Sequence, residues 1–370
     1  MDENIKSLDE IKEDMMPQCD NTDELPADTP VEGEGEDENQ PHERNVKLMS
    51  PTQMVLRRFF RSKLSIIGLV MVITLFLFSF LGPVIYTRWG EIELDQSGTT
   101  SYAVAEVEYT DANGNKYTVY ETIERGETEN AYAPPSRDHI LGTDKEGYDV
   151  FVRLMYGGRI SLIVSFLAVF LMTILGVILG GISGYFGGKI DNIIMRISDI
   201  LMCLPGLPVL IILHTILDAM EVPSQYIIYI LMTFLTLISW TGTARLVRGQ
   251  ILMLREQEYM VAAEAMGYST KRKIFKHLIP NVMPQLIVQM TLGLGSMILY
   301  EATLSYLAMG VPAPYAAWGT MINIISSDEN ILTNYFNIWG PAGICIVIAV
   351  LGFNFIGDGL RDALDPKMRR

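Results

Sequence analysis

The chain has 370 residues, of which 49% are hydrophobic, with three cysteines and a formal net charge of −15 at pH 7. The apolar residues come in blocks about 20 long, enough to cross ~30 Å of hydrocarbon, which excludes a string of ordinary soluble domains. Acid in excess gives no sign of nucleic-acid binding, and Cys19, Cys203 and Cys345 share no exposed loop in which a disulfide framework could form.

In chain order, residues 1–48 read as an acidic cytoplasmic tail. Residues 1–44 hold 16 acids and 3 bases, with too few apolar residues to offset ordering entropy, so disorder is expected. An acidic start is also unlike a signal peptide. Residues 49–86 read as an amphipathic helix followed by the first span. In PTQMVLRRFFRSK, Val55, Leu56, Phe59 and Phe60 suit the membrane interface and Arg57, Arg58 and Arg61 the headgroups. The span itself covers about Leu64–Tyr86. Residues 87–140 read as an extracytoplasmic insertion. There Ala105, Val107 and Tyr109 alternate with Glu106, Glu108 and Thr110 ahead of the turn DANGN and the stretch KYTVYETI. That alternation predicts a β-hairpin at about residues 100–124.

Residues 141–370 hold five more apolar blocks, at about Ile160–Ile182, Ile193–Leu217, Tyr226–Ala244, Pro284–Met309 and Ile338–Leu360. The expected fold is therefore an all-α polytopic membrane protein with six transmembrane helices. Base flanks the spans on one side only: Arg57, Arg58, Arg61 and Lys63, then Arg245 to Lys276, then Arg361 to Arg370. The loops Asp218–Gln225 and Gly310–Asn337 contain no Lys or Arg. The positive-inside rule then places both termini and the 245–283 loop in the cytoplasm.

That loop contains EYMVAAEAMGYSTKRKIFKHLIPN, Glu258 to Asn281. Glu256 to Met266 favours helix, Gly267 suits a left-handed helix end, and Ser269 or Thr270 can cap a second short helix. The second helix carries Lys271, Arg272, Lys273 and Lys276 on its wet side. Pro280 is expected to end it, and Pro284 to open span five. Within the spans, Gly176, Gly180 and Gly184 make a small-residue edge for helix packing within the chain. Arg196 and Asp199 are spaced to pair with each other. Glu301 lies in the outer half of span five, where it lines a translocation path, meets a docking protein, or makes a structural hydrogen bond. His214 has no metal-ligand pattern beside it, and no catalytic constellation is recognisable, so no enzyme activity is expected. GYFGGKID lacks the spacing of a phosphate-binding loop, so ATP must be bound elsewhere.

The Glu258–Asn281 segment resembles the EAA loop of permease subunits in binding-protein-dependent ABC importers. Ala262, Ala263, Gly267 and Pro280 fall on its pattern, while Val261 stands where Glu is usual and Ile279 where Leu is common. LGTDKEGYDVFVRLMYGGRISL, YEATLSYLAMGVPAPYAAWGTMI and the ending GDGLRDALDPKMRR resemble stretches of the C-type subunit of oligopeptide and dipeptide permeases. The resemblance implies a type I ABC permease fold, peptide import, and an ATPase-coupling site at Glu258, Tyr259, Ala262, Ala263, Gly267, Lys271, His277, Ile279 and Pro280. It implies as partners a homologous B-type permease, two ATPase subunits that bind the ATP, and an extracytoplasmic substrate-binding protein, with no cofactor in this chain. Import of nickel or another small solute, or a membrane sensor or scaffold, are the alternative readings.

Overall fold

The computed structural model describes residues 51–98, 102–110, 116–124, 130–326 and 329–364. The acidic tail expected at residues 1–48 lies outside them. Helix α1 (Pro51–Phe59) precedes α2 (Lys63–Ile85), strands β1 (Tyr102–Thr110) and β2 (Lys116–Glu124), and α3 (Val150–Phe186). Then come α4 (Gly188–Met202), α5 (Gly206–Ala219), α6 (Ser224–Arg255) and α7 (Glu258–Ala265). Helix α8 (Thr270–Met309), α9 (Trp318–Asn323), α10 (Glu329–Asn334) and α11 (Phe336–Leu364) complete the described chain. The strands pair antiparallel with Val107 opposite Val119 and Thr110 opposite Lys116.

Among the described residues, α2, α3, α6, α8 and α11 are each long and apolar enough to cross a membrane. The expected third span is not one straight helix. It is the pair α4 and α5, bent by 79° at a short break. Pro205 and Pro208 explain the break, because each removes an N–H and Pro205 forces Leu204 away from helical geometry.

Helix α3 sits at the centre. Its small-residue edge meets α6 of the same chain: a Cβ on Gly176 would stand 2.5 Å from Thr243 Cβ, and one on Gly184 would stand 2.9 Å from the Arg248 carbonyl. Helices α8 and α11 pack antiparallel, with Gly295 against Val350 and Gly357 against Leu292. Helix α2 lies along α11 through Gly68 and Gly352. Leu56 of α1 and Phe60 just after it are exposed, as an interfacial helix needs, but Phe59 turns inward and is buried beside Gly359 of α11. The stretch after α8 folds back on the bundle. Trp318 is 0% exposed and donates from its indole N–H to the Leu154 carbonyl, while its backbone N–H meets Ser161 Oγ.

Candidate functional site

Two sites lie at opposite ends of the helices. The first is built on α7. Met260 and Ala263 are buried, and Met260 joins a small core with Val247, Ile251, Leu278, Val282 and Leu286. This leaves Tyr259, Val261 and Met266 exposed, with Glu258 and Ala262 beside them. The helix ends in a Schellman motif: Tyr268 N–H donates to the Ala263 carbonyl and Gly267 N–H to the Glu264 carbonyl, with Gly267 at φ +69°. An L residue is strained at that φ, which accounts for glycine here.

Ser269 holds the N-cap position of the next helix, although its side chain makes no capping bond. The two-helix expectation needs correction beyond this point. Pro280 does not end a second short helix, because α8 runs unbroken from Thr270 through both Pro280 and Pro284. A π-helical turn at Lys273–Leu278 precedes Pro280, with Ile279 N–H reaching back to the Ile274 carbonyl. The wider turn carries one extra residue and gives the proline ring room. Lys273, expected on the wet face, is instead buried, with Nζ 3.7 Å from Glu264 Oε2 and over the Tyr185 ring. Lys271, Arg272, Phe275 and Lys276 are the exposed residues of this turn.

Three side chains that sequence reasoning passed over tie the site together. Tyr268 lies under the Arg272 guanidinium at 3.9 Å and stacks with His277 at 6.0 Å. Asn281 donates to the His277 carbonyl at 2.7 Å and to Tyr259 Oη at 3.5 Å, linking α8 to α7. Arg248 holds Asp191 through two bonds of 2.5 and 2.6 Å, and Ser183 adds a third. Asp199 pairs with Arg245 at 2.6 Å rather than with Arg196.

The second site is a cavity of about 350 Å³ at the other end, lined among others by Asp144, Arg153, His214, Asp218, Ser305 and Tyr315. Asp144 accepts N–H bonds from Glu146 and Tyr148 and pairs with Arg153 at 2.7 Å. Burial pushes its carboxyl above the usual range against those partners. Nearby, buried His139 has both ring nitrogens on carboxylates, Asp149 at 2.8 Å and Asp95 at 3.0 Å, under the Trp89 ring. Asp149 also caps α3. Burial alone would raise Asp95, but bonds from Asn130, Ser97 and His139 outweigh it and hold its carboxyl below the usual range. Glu301 is 0% exposed and stands behind the cavity wall, accepting from Ser305 Oγ at 2.7 Å. In this chain it therefore forms a structural hydrogen bond rather than a surface. Among the described residues no cluster of His, Cys, Asp and Glu has metal-binding geometry.

Residues 176–370 match the family described as "binding-protein-dependent transport system inner membrane component". Residues 50–98 match the "N-terminal TM domain of oligopeptide transport permease C". The chain is 38% identical over 325 residues to the oligopeptide transport system permease protein OppC of Bacillus subtilis, covering 88% of this chain and 92% of that one. It is 38% identical over 323 residues to the dipeptide transport system permease protein DppC of the same organism, covering 87% and 88%. To the Escherichia coli OppC protein it is 42% identical over 231 residues, covering 62% and 73%. With the match running from the middle of α3 across the α7 turn to the last residue, the chain belongs to the family of binding-protein-dependent transport system inner membrane components.

Proposed function

We propose that this chain is one of two permease subunits of an ABC importer that carries oligopeptides or dipeptides into the cytoplasm. The observation that carries this reading is the α7 turn: an eight-residue helix anchored by Met260 and Ala263 that presents a surface of Tyr259 and Val261, beside the exposed Lys271, Arg272 and Lys276 at the start of α8. Glu258, Tyr259, Ala262, Ala263, Gly267, Lys271, His277, Ile279 and Pro280 form or brace that surface. It is built to dock in a groove of an ATPase subunit.

Both termini and α7 lie on the cytoplasmic side, following the Lys and Arg flanks, and the β1–β2 ribbon and the 350 Å³ cavity lie outside. A substrate-binding protein delivers peptide on that outer side. ATP binding closes two partner ATPases, and the closure pushes α7. A second, homologous permease subunit moves in concert, so that the pair alternates between inward-facing and outward-facing forms. The ATP is bound by the partners and this chain needs no cofactor.

The test is purification from the native membrane in mild detergent, followed by reconstitution with ATP and the binding protein. Two ATPases and a second polytopic subunit should co-purify, and labelled tripeptide should accumulate in an ATP-dependent way. Uptake that unlabelled peptides do not compete, while nickel or another small solute does, would keep the importer and change its cargo. A chain that purifies alone, with no flux, would overturn the transport reading.

A further inference from the structure

We propose that the α4–α5 break and one polar stripe of α8 form this chain's wall of the peptide path, and that the wall recognises peptide backbone rather than side chains. The proposal rests on the importer reading above and assigns the residues that touch cargo.

Two independent observations meet here. The first is the break. Met202 is 55% and Leu204 41% exposed, and Cys203 between them is exposed as well. Pro208 has no N–H to return to the Leu204 carbonyl, so the backbone is not self-satisfied as it would be in an intact helix. Irregular backbone at membrane depth is tolerated only inside protein or beside water, never against lipid. The depth follows from α8: a Cβ on Gly206 would stand 3.2 Å from Tyr300 Oη, and Tyr300 is about 9 Å inside the last helical residue of α8, Tyr306.

The second observation is the stripe that contains Tyr300. Gln285, Gln289, Ser296 and Tyr300 fall within about 60° of one another around α8. The first three are exposed and Tyr300 is half-buried. Ser296 returns its hydroxyl to the Leu292 carbonyl. The amides of Gln285 and Gln289 have no protein partner among the described residues. Both line a cavity of about 500 Å³ that also touches Arg361. Lipid cannot satisfy these amides. Helix interfaces that close tightly in membranes use small residues, whereas this face carries long amides, a tyrosine and open volume. Water with passing cargo fits it better than a packed neighbour.

The chemistry of the wall sets what it can read. Each primary amide offers a donor and an acceptor, the same complement as a peptide group. From Gln285 to Tyr300 the stripe carries no charge, so it does not discriminate between acidic and basic side chains. Arg361 at the cytoplasmic mouth suits a departing carboxylate.

The experiment uses the full assembly in proteoliposomes, with Cys19→Ser and Cys345→Ala leaving Cys203 as this chain's one thiol. A charged, membrane-impermeant methanethiosulfonate should modify Cys203, at a rate that differs between nucleotide-free and nucleotide-trapped forms, and modification should block tripeptide uptake. Separately, Gln289→Leu should raise the apparent KM for several unrelated tripeptides by about tenfold, the size of one lost hydrogen bond. Gln289→Asn should recover most of it, and co-purification reports assembly of each variant. Modification of Cys203 only by a lipid-soluble maleimide, or by neither reagent, would overturn the path assignment, as would an unchanged KM in Gln289→Leu. Wild-type uptake in the same vesicles separates the two readings: without it the importer reading fails, and with it only the path assignment is at stake.

Discussion

Gly180 and Gly181 are neighbours on α3 and should respond to the same substitution in opposite directions. A Cβ built on Gly180 would stand 2.3 Å from the Ala244 carbonyl oxygen and 2.8 Å from Ala244 Cα. One on Gly181 would find its nearest atom, Ile251 Cδ1, at 3.8 Å, an ordinary contact. Both Gly→Ala changes gain the same helix propensity, about 0.8–1.0 kcal/mol. Only Gly180→Ala must also drive α3 and α6 apart by roughly 1 Å, and overpacking of that kind costs about 1–3 kcal/mol. Gly181→Ala should therefore be stabilising by up to about 1 kcal/mol, and Gly180→Ala less stable than it by about 1–3 kcal/mol. At roughly 2–4 °C per kcal/mol the separation is several degrees in apparent melting temperature, read as monodisperse protein surviving heating in detergent. The atoms that Gly180→Ala meets are backbone, so Ala244→Gly should not rescue it. Gly176→Ala meets Thr243 Cβ and Cγ2 instead, and Thr243→Gly should ease it. Equal melting temperatures for Gly180→Ala and Gly181→Ala, or rescue by Ala244→Gly, would refute the close approach of the two helices.

Gly267→Asp should abolish uptake while membrane insertion is retained, read by transport and membrane fractionation. Gly267→Asn should be milder, because no atom lies within 4 Å of the added Cβ and Asn tolerates the left-handed region. Asp95 is held below the usual carboxylate range, so the stability it contributes is present above the unfolded value near 3.9 and is lost as pH falls through the folded one. Asp144 is shifted upward and works in the opposite sense. Trp89 fluorescence followed from pH 7 to pH 3 should report an acid-side opening that Asp95→Asn diminishes. Asp191→Asn removes one charge of its half-exposed pair with Arg248 and should loosen α4 by about 1–2 kcal/mol, seen as faster hydrogen exchange over Gly188–Met202.

Five of the six expected spans, and their approximate positions, were legible because a run of some 20 apolar residues suits little besides a membrane crossing. Helix ends were not. Helix α3 starts at Val150, ten residues before the expected Ile160, and α6 reaches Arg255, well past Ala244. Outside hydrocarbon a helix need not be apolar, so hydropathy stops reporting it. The break at Pro205 was masked for the converse reason, since the residues around it are apolar enough to read as continuous. Local pairing rules gave Asp199 the partner Arg196, whereas its partner Arg245 lies 46 residues away on α6, and spacing along one helix cannot reveal that. The same limit hid Asn281, Tyr268 and the His139 cluster. Gly267 and the small-residue edge were legible because each answers to one demand, a positive φ or a close approach, that few residues meet.

The π-turn changes how the α7 surface is connected to the rest of the molecule. If Pro280 ended a short helix, a push on α7 would be absorbed by a loop. Instead α8 runs as one helix from Thr270 to Tyr306, about 55 Å, and unwinds at Leu307 and Ala308, where Ala308 lines the outer cavity. Gly293 lies against Val169 of α3 and Gly295 against Val350 of α11, so the middle of α8 is gripped, and Leu278 and Leu304 are buried toward its two ends. A tilt of about 5° about that grip would move an end some 30 Å away by about 3 Å. The turn also sets the rotational phase of Lys271 and Arg272, because one extra residue offsets a helix by about 100°. Deleting Phe275 should therefore restore a regular helix and swing these basic residues, with α7, around the axis of α8. The expected result is loss of ATP-driven uptake and weakened co-purification of the ATPases, with the outer cavity still folded by Trp318 fluorescence. Wild-type uptake by that deletion would show that α7 is not keyed to the phase of α8, and the rigid connection would have to be abandoned.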